Sequence, residues 1–165
     1  MVKLFQKIKP RIGADDSETN GLHIILSKPF VYQFGFIDSA TYEGYTYLVD
    51  IEKQPQLARQ VIKVWQELAK TLEVYLGHNK TFDMHMLTNI GLPYTTENMS
   101  DTMFYIRYAH DALAPKNGGP PLALKDYAAQ YIDHKAKAHD KLLQAERTAI
   151  AKDLNIRLKQ KLKNC

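Results

Sequence analysis

Two carboxylates, Asp16 and Glu18, stand two residues apart in "GADDSETNGLH" (positions 13–23), just before a turn-like Asn20-Gly21. Side chains alternate between the faces of a strand, so we expect Asp16 and Glu18 to point one way and Asp15 the other. Parallel carboxylates repel each other in a partly buried site unless a cation lies between them. Hard divalent ions such as Mg²⁺ or Mn²⁺ suit ligands that are all oxygen. The pair is compatible with a metal site, although a solvated strand end is the more ordinary explanation of Asp-x-Glu when it stands alone.

A second polar group lies in "GHNKTFDMHML", where Asn79 precedes Asp83 by four residues. The pattern places it where a strand passes into a helix, so Asp83 could also cap the first turn of that helix. His78 and His85 flank the group. We interpret them as one packed and one exposed histidine rather than as metal ligands.

The elements that must position these residues follow from apolar periodicity and turn residues. The predicted strands cover residues 10–17, 29–38, 45–51 and 73–79. A predicted helix begins at Pro55 and presents one apolar face. The residues of that face are Leu57, Val61, Val64, Trp65, Leu68 and Leu72. The remaining predicted helices cover residues 82–91, 100–114, 122–132 and 138–162.

The resulting order, three strands and then alternating strand and helix, predicts an α/β fold. We expect a mixed sheet, made of a three-strand antiparallel meander and one or more parallel strands, flanked by helices. The rest of the chain is predicted to be a helical C-terminal extension. The expected division places an α/β core at 1–133 and a basic helical extension at 134–165.

Composition restricts the class of protein further. The chain has 165 residues, 45% hydrophobic and 24% charged, as in ordinary globular domains. The single cysteine, Cys165, excludes an internal disulfide and a cysteine-based zinc site. The sequence has neither a membrane-length apolar run nor the apolar core of a signal peptide. We therefore expect a cytoplasmic protein of a bacterial or phage-infected cell, without a membrane partner.

Charge is distributed unevenly along the chain. Residues 125–165 carry a net charge of +5, so the preceding 124 residues carry −1 of the total of +4. A basic tail on a nearly neutral body is typical of proteins with an anionic partner such as nucleic acid. On charge alone, a solvated helix face is the more ordinary explanation.

The two polar stretches together resemble the motifs of a known family. "DSETNGL" is similar to the first motif of the DEDD (DnaQ-like) 3′→5′ exonuclease superfamily, D-x-E-T-x-G-L, and "NKTFD" is similar to its second, N-x-x-x-F/Y-D. The stretches "LSKPFVYQFGF", "SDTMFYIRYAHDAL" and "LALKDYAAQYI" extend the resemblance through most of the chain. The most similar group is the N-terminal proofreading region of A-family, phage-type DNA polymerases.

This resemblance implies a ribonuclease-H-like fold and phosphodiester hydrolysis by two Mg²⁺ or Mn²⁺ ions. By motif position, Asp16 would bridge both ions, Glu18 would bind one and orient the water, and Asp83 would bind the other. The implied contacts to the substrate come from Thr19, Gly21, Leu22 and Asn79, with Leu22 under the terminal base. The implied partner is the 3′ end of single-stranded DNA.

The sequence departs from the family at the third motif, Tyr-x-x-x-Asp or His-x-x-x-x-Asp. No aspartate after residue 100 has tyrosine four positions before it or histidine five positions before it. The fourth carboxylate is therefore missing. We expect an N-terminal piece of a polymerase exonuclease region, weak or incomplete alone, with a downstream polymerase polypeptide as a candidate partner. Two alternatives stay open, a non-catalytic nucleic-acid-binding or subunit fragment and a stand-alone RNA-trimming exonuclease.

Overall fold

A computed structural model describes residues 1–93, 98–110 and 117–153 of the chain. Within these ranges, five strands form one sheet: β1 (Ile12–Thr19), β2 (Pro29–Ile37), β3 (Gly44–Asp50), β4 (Val74–Gly77) and β5 (Met99–Asp101). The same ranges contain six helices: α1 (Val2–Ile8), α2 (Pro55–Ala69), α3 (Lys80–Asn89), α4 (Thr102–Ala109), α5 (Leu124–Tyr131) and α6 (Ala138–Asp153). A short 3₁₀ turn, His134–Lys137, precedes α6.

The strands lie in the order β3-β2-β1-β4-β5. β1, β2 and β3 form an antiparallel meander, and β4 and β5 extend it through parallel pairings. The predicted fold class is therefore confirmed as a mixed, ribonuclease-H-like sheet flanked by helices. β4 pairs with β1 over Ile12–Ala14, so β1 continues beyond β4 toward its own carboxyl end. That continuation carries Asp16 and Glu18.

One face of the sheet carries the core, which is centred on Trp65 of α2. The Trp65 ring stacks on Phe34 of β2 at 4.6 Å and meets Tyr75 of β4 edge-on at 5.9 Å. A side chain on Gly13 would meet the Trp65 ring at 3.2 Å and Leu72 at 2.7 Å, so glycine lets α2 pack closely over β1. The opposite face is more open, with Ile12, Ile37 and Leu48 all more than one-third exposed.

Three details differ from the sequence-based prediction. α2 begins at Pro55 as expected, but the residues that it buries are Ala58, Ile62, Trp65 and Ala69, whereas Leu57 and Val64 are exposed. Small residues at 58 and 69 allow close helix-to-sheet contact, which apolar size alone does not indicate. The segment Met99–Asp101 is a strand, and α1 was not predicted. Residues 111–114 and 154–162 of two predicted helices lie outside the described residues.

The chain divides into two compact units, residues 1–105 and 106–165. The first contains the sheet and every predicted site residue. The second contains α5, the 3₁₀ turn and α6, and the division expected at 133/134 stays a prediction. Among the described residues, no helix has the length and apolar character needed to cross a bilayer.

Candidate functional site

The predicted carboxylate pair lies on the open face of β1. Burial alternates along the strand, so Asp16 and Glu18 are exposed whereas Asp15 and Ser17 are buried. Gln33 of the neighbouring strand β2 donates a hydrogen bond from Nε2 to Asp16 Oδ2 at 2.9 Å. Asp16 is paired with Gln33 across the two strands, which explains this contact. The predicted orientation of all three acidic residues of β1 is confirmed.

Asp83 meets β1 at the point where β4 no longer pairs with it. The Ser17 hydroxyl and the Ser17 backbone N–H both donate to the Asp83 carboxylate, whose side chain is buried. These contacts join two motifs that are 66 residues apart in sequence. Asp83 therefore binds the edge of β1. It approaches from the buried side of the strand, whereas Asp16 and Glu18 occupy the exposed side.

The environment of Asp83 disfavours its negative charge. Burial raises the pKa of the Asp83 carboxyl from 3.8 to about 6, and the nearby charge of Asp16 acts in the same direction. The Ser17 hydrogen bonds and the positive charge of Lys80 lower the pKa and offset part of this increase. Because burial outweighs the contacts that stabilise the charge, the site favours a proton or a cation beside Asp83.

A buried ion pair, which no sequence pattern indicated, lies behind the carboxylates. Lys80 Nζ binds Asp15, and both side chains are almost completely inaccessible to solvent. The Tyr32 hydroxyl also donates to Asp15, and the Tyr75 ring lies 4.9 Å from the Lys80 ammonium. Trp65 Nε1–H in turn donates to the Tyr75 hydroxyl at 3.0 Å. The network links β1, β2, β4, α2 and α3 directly beneath the candidate site.

Lys80 reaches Asp15 because residue 77 has no side chain. A Cβ on Gly77 would clash with Lys80 Cδ, so the lysine stem occupies the space above that glycine. Burial lowers the pKa of Lys80 to about 7, while the charges of Asp83 and Asp101 raise it. A glycine followed three residues later by lysine at a strand-to-helix junction is the only sequence signal for this arrangement.

Asp101 fixes the start of α3, the helix that carries Asp83. Its carboxylate accepts the backbone N–H of Asn79 at 3.0 Å and that of Lys80 at 2.8 Å. It also accepts the N–H of Met103 at 2.9 Å, in the first turn of α4, as expected for a helix cap. Asn79 has the left-handed φ of 58° and is exposed. Its side chain is thus accessible to a substrate, and its predicted substrate contact stays a prediction.

The two histidines of this stretch have the environments expected from the sequence. His78 is half-buried and its Nδ1 lies 2.9 Å from the Thr102 hydroxyl, whereas His85 is exposed.

The loop after β1 contains the other predicted substrate contacts. The Thr19 hydroxyl donates to the Gly21 carbonyl at 2.7 Å, and a side chain on Gly21 would meet Ser27 Oγ at 2.8 Å. Leu22 is 86% exposed, so its apolar side chain is accessible to a base or another apolar group.

The donor chemistry of this region matches a hard divalent ion only in part. Asp16, Glu18 and Asp83 supply the oxygen donors that Mg²⁺ and Mn²⁺ prefer. A nearby cation would also stabilise the ionised form of the buried Asp83 carboxylate. Within the ranges that the structure describes, however, no three acidic, histidine or cysteine side chains converge on one point that could hold a metal ion. Asp16 and Glu18 lie on the exposed side of β1 and Asp83 contacts its buried side, so these three carboxylates do not converge on a metal position in this structure.

Comparison with a solved structure supports the fold. The chain is similar to the solved structure of Brucella melitensis NrnC, with a TM-score of 0.53, 15% identity and coverage of 78% of this chain and 55% of that one. It is also similar to the EXO domain of Aedes aegypti Nibbler, with a TM-score of 0.41, 17% identity and coverage of 66% and 50%. The chain thus spans about half the length of these structures. No family model and no curated protein matches the sequence.

Proposed function

We propose that the chain is part of a DEDD-type 3′→5′ exonuclease that hydrolyses nucleic acid from its 3′ end. The observation that carries the proposal is the contact between the two motifs, in which Asp83 binds Ser17, the residue between Asp16 and Glu18. The ribonuclease-H-like fold shared with NrnC supports the same proposal.

In this proposal the metal ligands are Asp16, Glu18 and Asp83, completed by a carboxylate from outside the described residues. Bound Mg²⁺ or Mn²⁺ would supply Lewis-acid activation of water and of the scissile phosphate. Gln33 holds the Asp16 carboxylate by a hydrogen bond, and Ser17 holds that of Asp83. The Asp101 carboxylate fixes the first turn of α3, and the Leu22 side chain, exposed beside β1, offers an apolar contact to the terminal base.

The finer part of the proposal is a proofreading role beside a DNA polymerase, with a single-stranded DNA 3′ end as the substrate. It rests on the sequence "DSETNGL" and on the extended resemblance to phage-type polymerases. A downstream polypeptide would then supply the third motif and the polymerase activity. The RNA-trimming alternative is a stand-alone enzyme whose substrate is RNA, so one assay with both nucleic acids separates the two.

A non-catalytic role is the second candidate, and the incomplete ligand set among the described residues favours it. A chain that binds nucleic acid or a subunit, without hydrolysis, needs the fold but not the fourth carboxylate. Activity measured with and without a third-motif polypeptide decides between the two candidates.

The first test is a Mn²⁺ titration followed by electron paramagnetic resonance. We expect saturable binding that Asp16→Ala weakens by at least about tenfold, because a carboxylate ligand is removed. Glu67→Gln is the matched control, since Glu67 is an exposed acid on α2 that contacts Lys70. Unchanged Mn²⁺ affinity in Asp16→Ala would remove the metal site from consideration.

The second test follows the shortening of 5′-labelled single strands of DNA and RNA in Mg²⁺. We expect slow removal of 3′ nucleotides by the chain alone, because loss of one positioning group typically costs about 10² to 10⁴ in rate. Addition of a polypeptide with the Tyr-x-x-x-Asp motif should restore the rate. Fast hydrolysis by the chain alone, abolished by Asp83→Ala, would show that another residue replaces the missing carboxylate.

A further inference from the structure

The second unit contains a cluster of three aromatic rings: His110, Tyr127 and Tyr131. The two tyrosine ring centroids are 4.7 Å apart, and the His110 ring lies 5.4 Å from Tyr131 and 6.0 Å from Tyr127. Tyr127 and Tyr131 are four residues apart on α5, which places them on the same side of the helix. The Tyr127 hydroxyl also lies 3.5 Å from His110 Nε2. The rings therefore support one another and form an ordered surface.

This aromatic cluster remains open to solvent. Tyr131 is 47% exposed, its neighbour Ile132 is 77% exposed, and none of the residues of α5 is buried. Contiguous exposed apolar groups on a protein surface mark sites of interaction.

Two exposed lysines lie in the same stretch as the rings, Lys125 on α5 itself and Lys135 on the following turn. Two acids, Asp126 and Asp133, lie there as well, so the lysines supply positive charge at particular points and not a net excess. Cationic side chains that follow a phosphate backbone, combined with aromatic rings on which bases stack, are the features that bind single-stranded nucleic acids.

We propose that His110, Tyr127 and Tyr131 form a base-stacking site for a single-stranded nucleic acid, with Lys125 and Lys135 binding its phosphates. The proposal rests on the proposed function and deepens it, because it places a second contact for the same class of substrate outside the carboxylate site. An acidic peptide would satisfy the lysines but would not require flat rings. The two occupants are therefore distinguishable by a ligand that keeps its phosphates and lacks its bases.

The test measures the affinity of the full chain for a fluorescein-labelled thymidine 12-mer and for an abasic strand of equal length, without divalent ions. We expect Tyr131→Leu to weaken binding of the thymidine strand about tenfold and to leave the abasic strand unaffected, since stacking requires bases. Tyr131→Phe keeps the ring and should bind as the parent chain does. Tyr42→Leu is the matched control, because Tyr42 is 85% exposed and lies in the first unit.

Three results would overturn the proposal: equal affinity of the parent chain for both strands, undiminished binding by Tyr131→Leu, or an equal decrease for both strands. If Tyr131→Leu does not fold, as judged by circular dichroism, Lys125→Gln with Lys135→Gln provides the second measurement. That pair should reduce the slope of log K against log salt by about 0.7 for each phosphate that is no longer bound. An unchanged slope would also count against the site.

Failure of this proposal and failure of the proposed function are separable. Asp16→Asn with Asp83→Asn removes the candidate metal ligands, and we expect this variant to keep the full difference between the thymidine and abasic strands. Ring-dependent binding without any hydrolysis, even after addition of the polypeptide with the third motif, would leave the stacking site intact and refute the exonuclease. If Tyr131→Leu hydrolyses the strand at the same rate as the parent chain, and neither protein prefers the thymidine strand over the abasic one, only the stacking site is refuted.

Discussion

Asp15 and Asp16 are adjacent in sequence, yet the two faces of β1 give them opposite environments. Asp15 lies in the core, bound by Lys80 and Tyr32, whereas Asp16 lies on the open face and accepts a hydrogen bond from the half-buried Gln33. The buried carboxylate holds secondary-structure elements together, and the exposed one remains accessible to a ligand. Stability and candidate chemistry are thus assigned to opposite faces of a single strand.

The largest expected effect comes from breaking the buried pair. Lys80→Met leaves Asp15 without its cation in the core, and removal of one partner of a buried ion pair typically costs about 3–5 kcal/mol. We expect the free energy of unfolding in urea to fall by that amount. Asp16→Asn, on the exposed face, should change it by less than about 0.5 kcal/mol.

The double variant Asp15→Asn with Lys80→Met sharpens this prediction. It removes both charges and leaves no uncompensated ion, so we expect it to be more stable than Lys80→Met alone. If the two variants unfold at the same urea concentration, the pairing of Asp15 with Lys80 does not determine the stability of this region.

The next effect concerns Asp83, which contacts Ser17 from the buried side of β1. Its pKa is raised in the folded chain, so folding takes up a proton between about pH 4 and pH 6, and its contribution to stability falls as pH rises through that range. Asp83→Asn cannot ionise, so it does not lose stability as the pH rises. We expect the variant to gain on the order of 2 kcal/mol relative to the parent between pH 4 and pH 7.

Urea unfolding of both proteins at several pH values checks this prediction, with Mn²⁺ absent. A difference between variant and parent that stays constant from pH 4 to pH 7 would show that the folded environment does not raise the pKa of Asp83.

Much of this arrangement was predictable from sequence because alternation along a strand is geometric. The opposite orientations of Asp15 and Asp16, the meander and the short strand before Asp83 all follow from periodicity and turn residues. The Asp15–Lys80 pair was not predictable, because a buried lysine requires a partner 65 residues away and a channel above Gly77. The predicted apolar face of α2 was correct for Trp65, Val61 and Leu68, which lie in or against the core, but wrong for Leu57 and Val64, which are exposed. Apolar size does not reveal that Ala58 and Ala69 allow close packing.

A smaller effect tests that channel. Gly77→Ala would place a methyl group against Lys80 Cδ, so the lysine stem must move, and overpacking of this kind typically costs about 1–3 kcal/mol. Gly44→Ala is the matched control, because a Cβ there meets no atom within 4 Å. Equal unfolding temperatures for the two variants would show that the space above Gly77 is not required by Lys80.

The smallest expected effect on stability belongs to the exposed pair. Glu18→Gln removes a carboxylate that is exposed on the open face, and substitutions at such positions usually change stability by less than about 0.5 kcal/mol. Its effect on Mn²⁺ affinity should nevertheless be at least about tenfold, because the proposed ion loses a ligand. Glu67→Gln, also exposed, should leave both quantities unchanged. Stability and Mn²⁺ affinity of Glu18→Gln therefore show whether the open face of β1 stabilises the fold or binds the ion. A large decrease in stability would place Glu18 among the structural residues with Asp15. Unchanged stability together with unchanged Mn²⁺ affinity would instead leave the open face without its proposed chemistry.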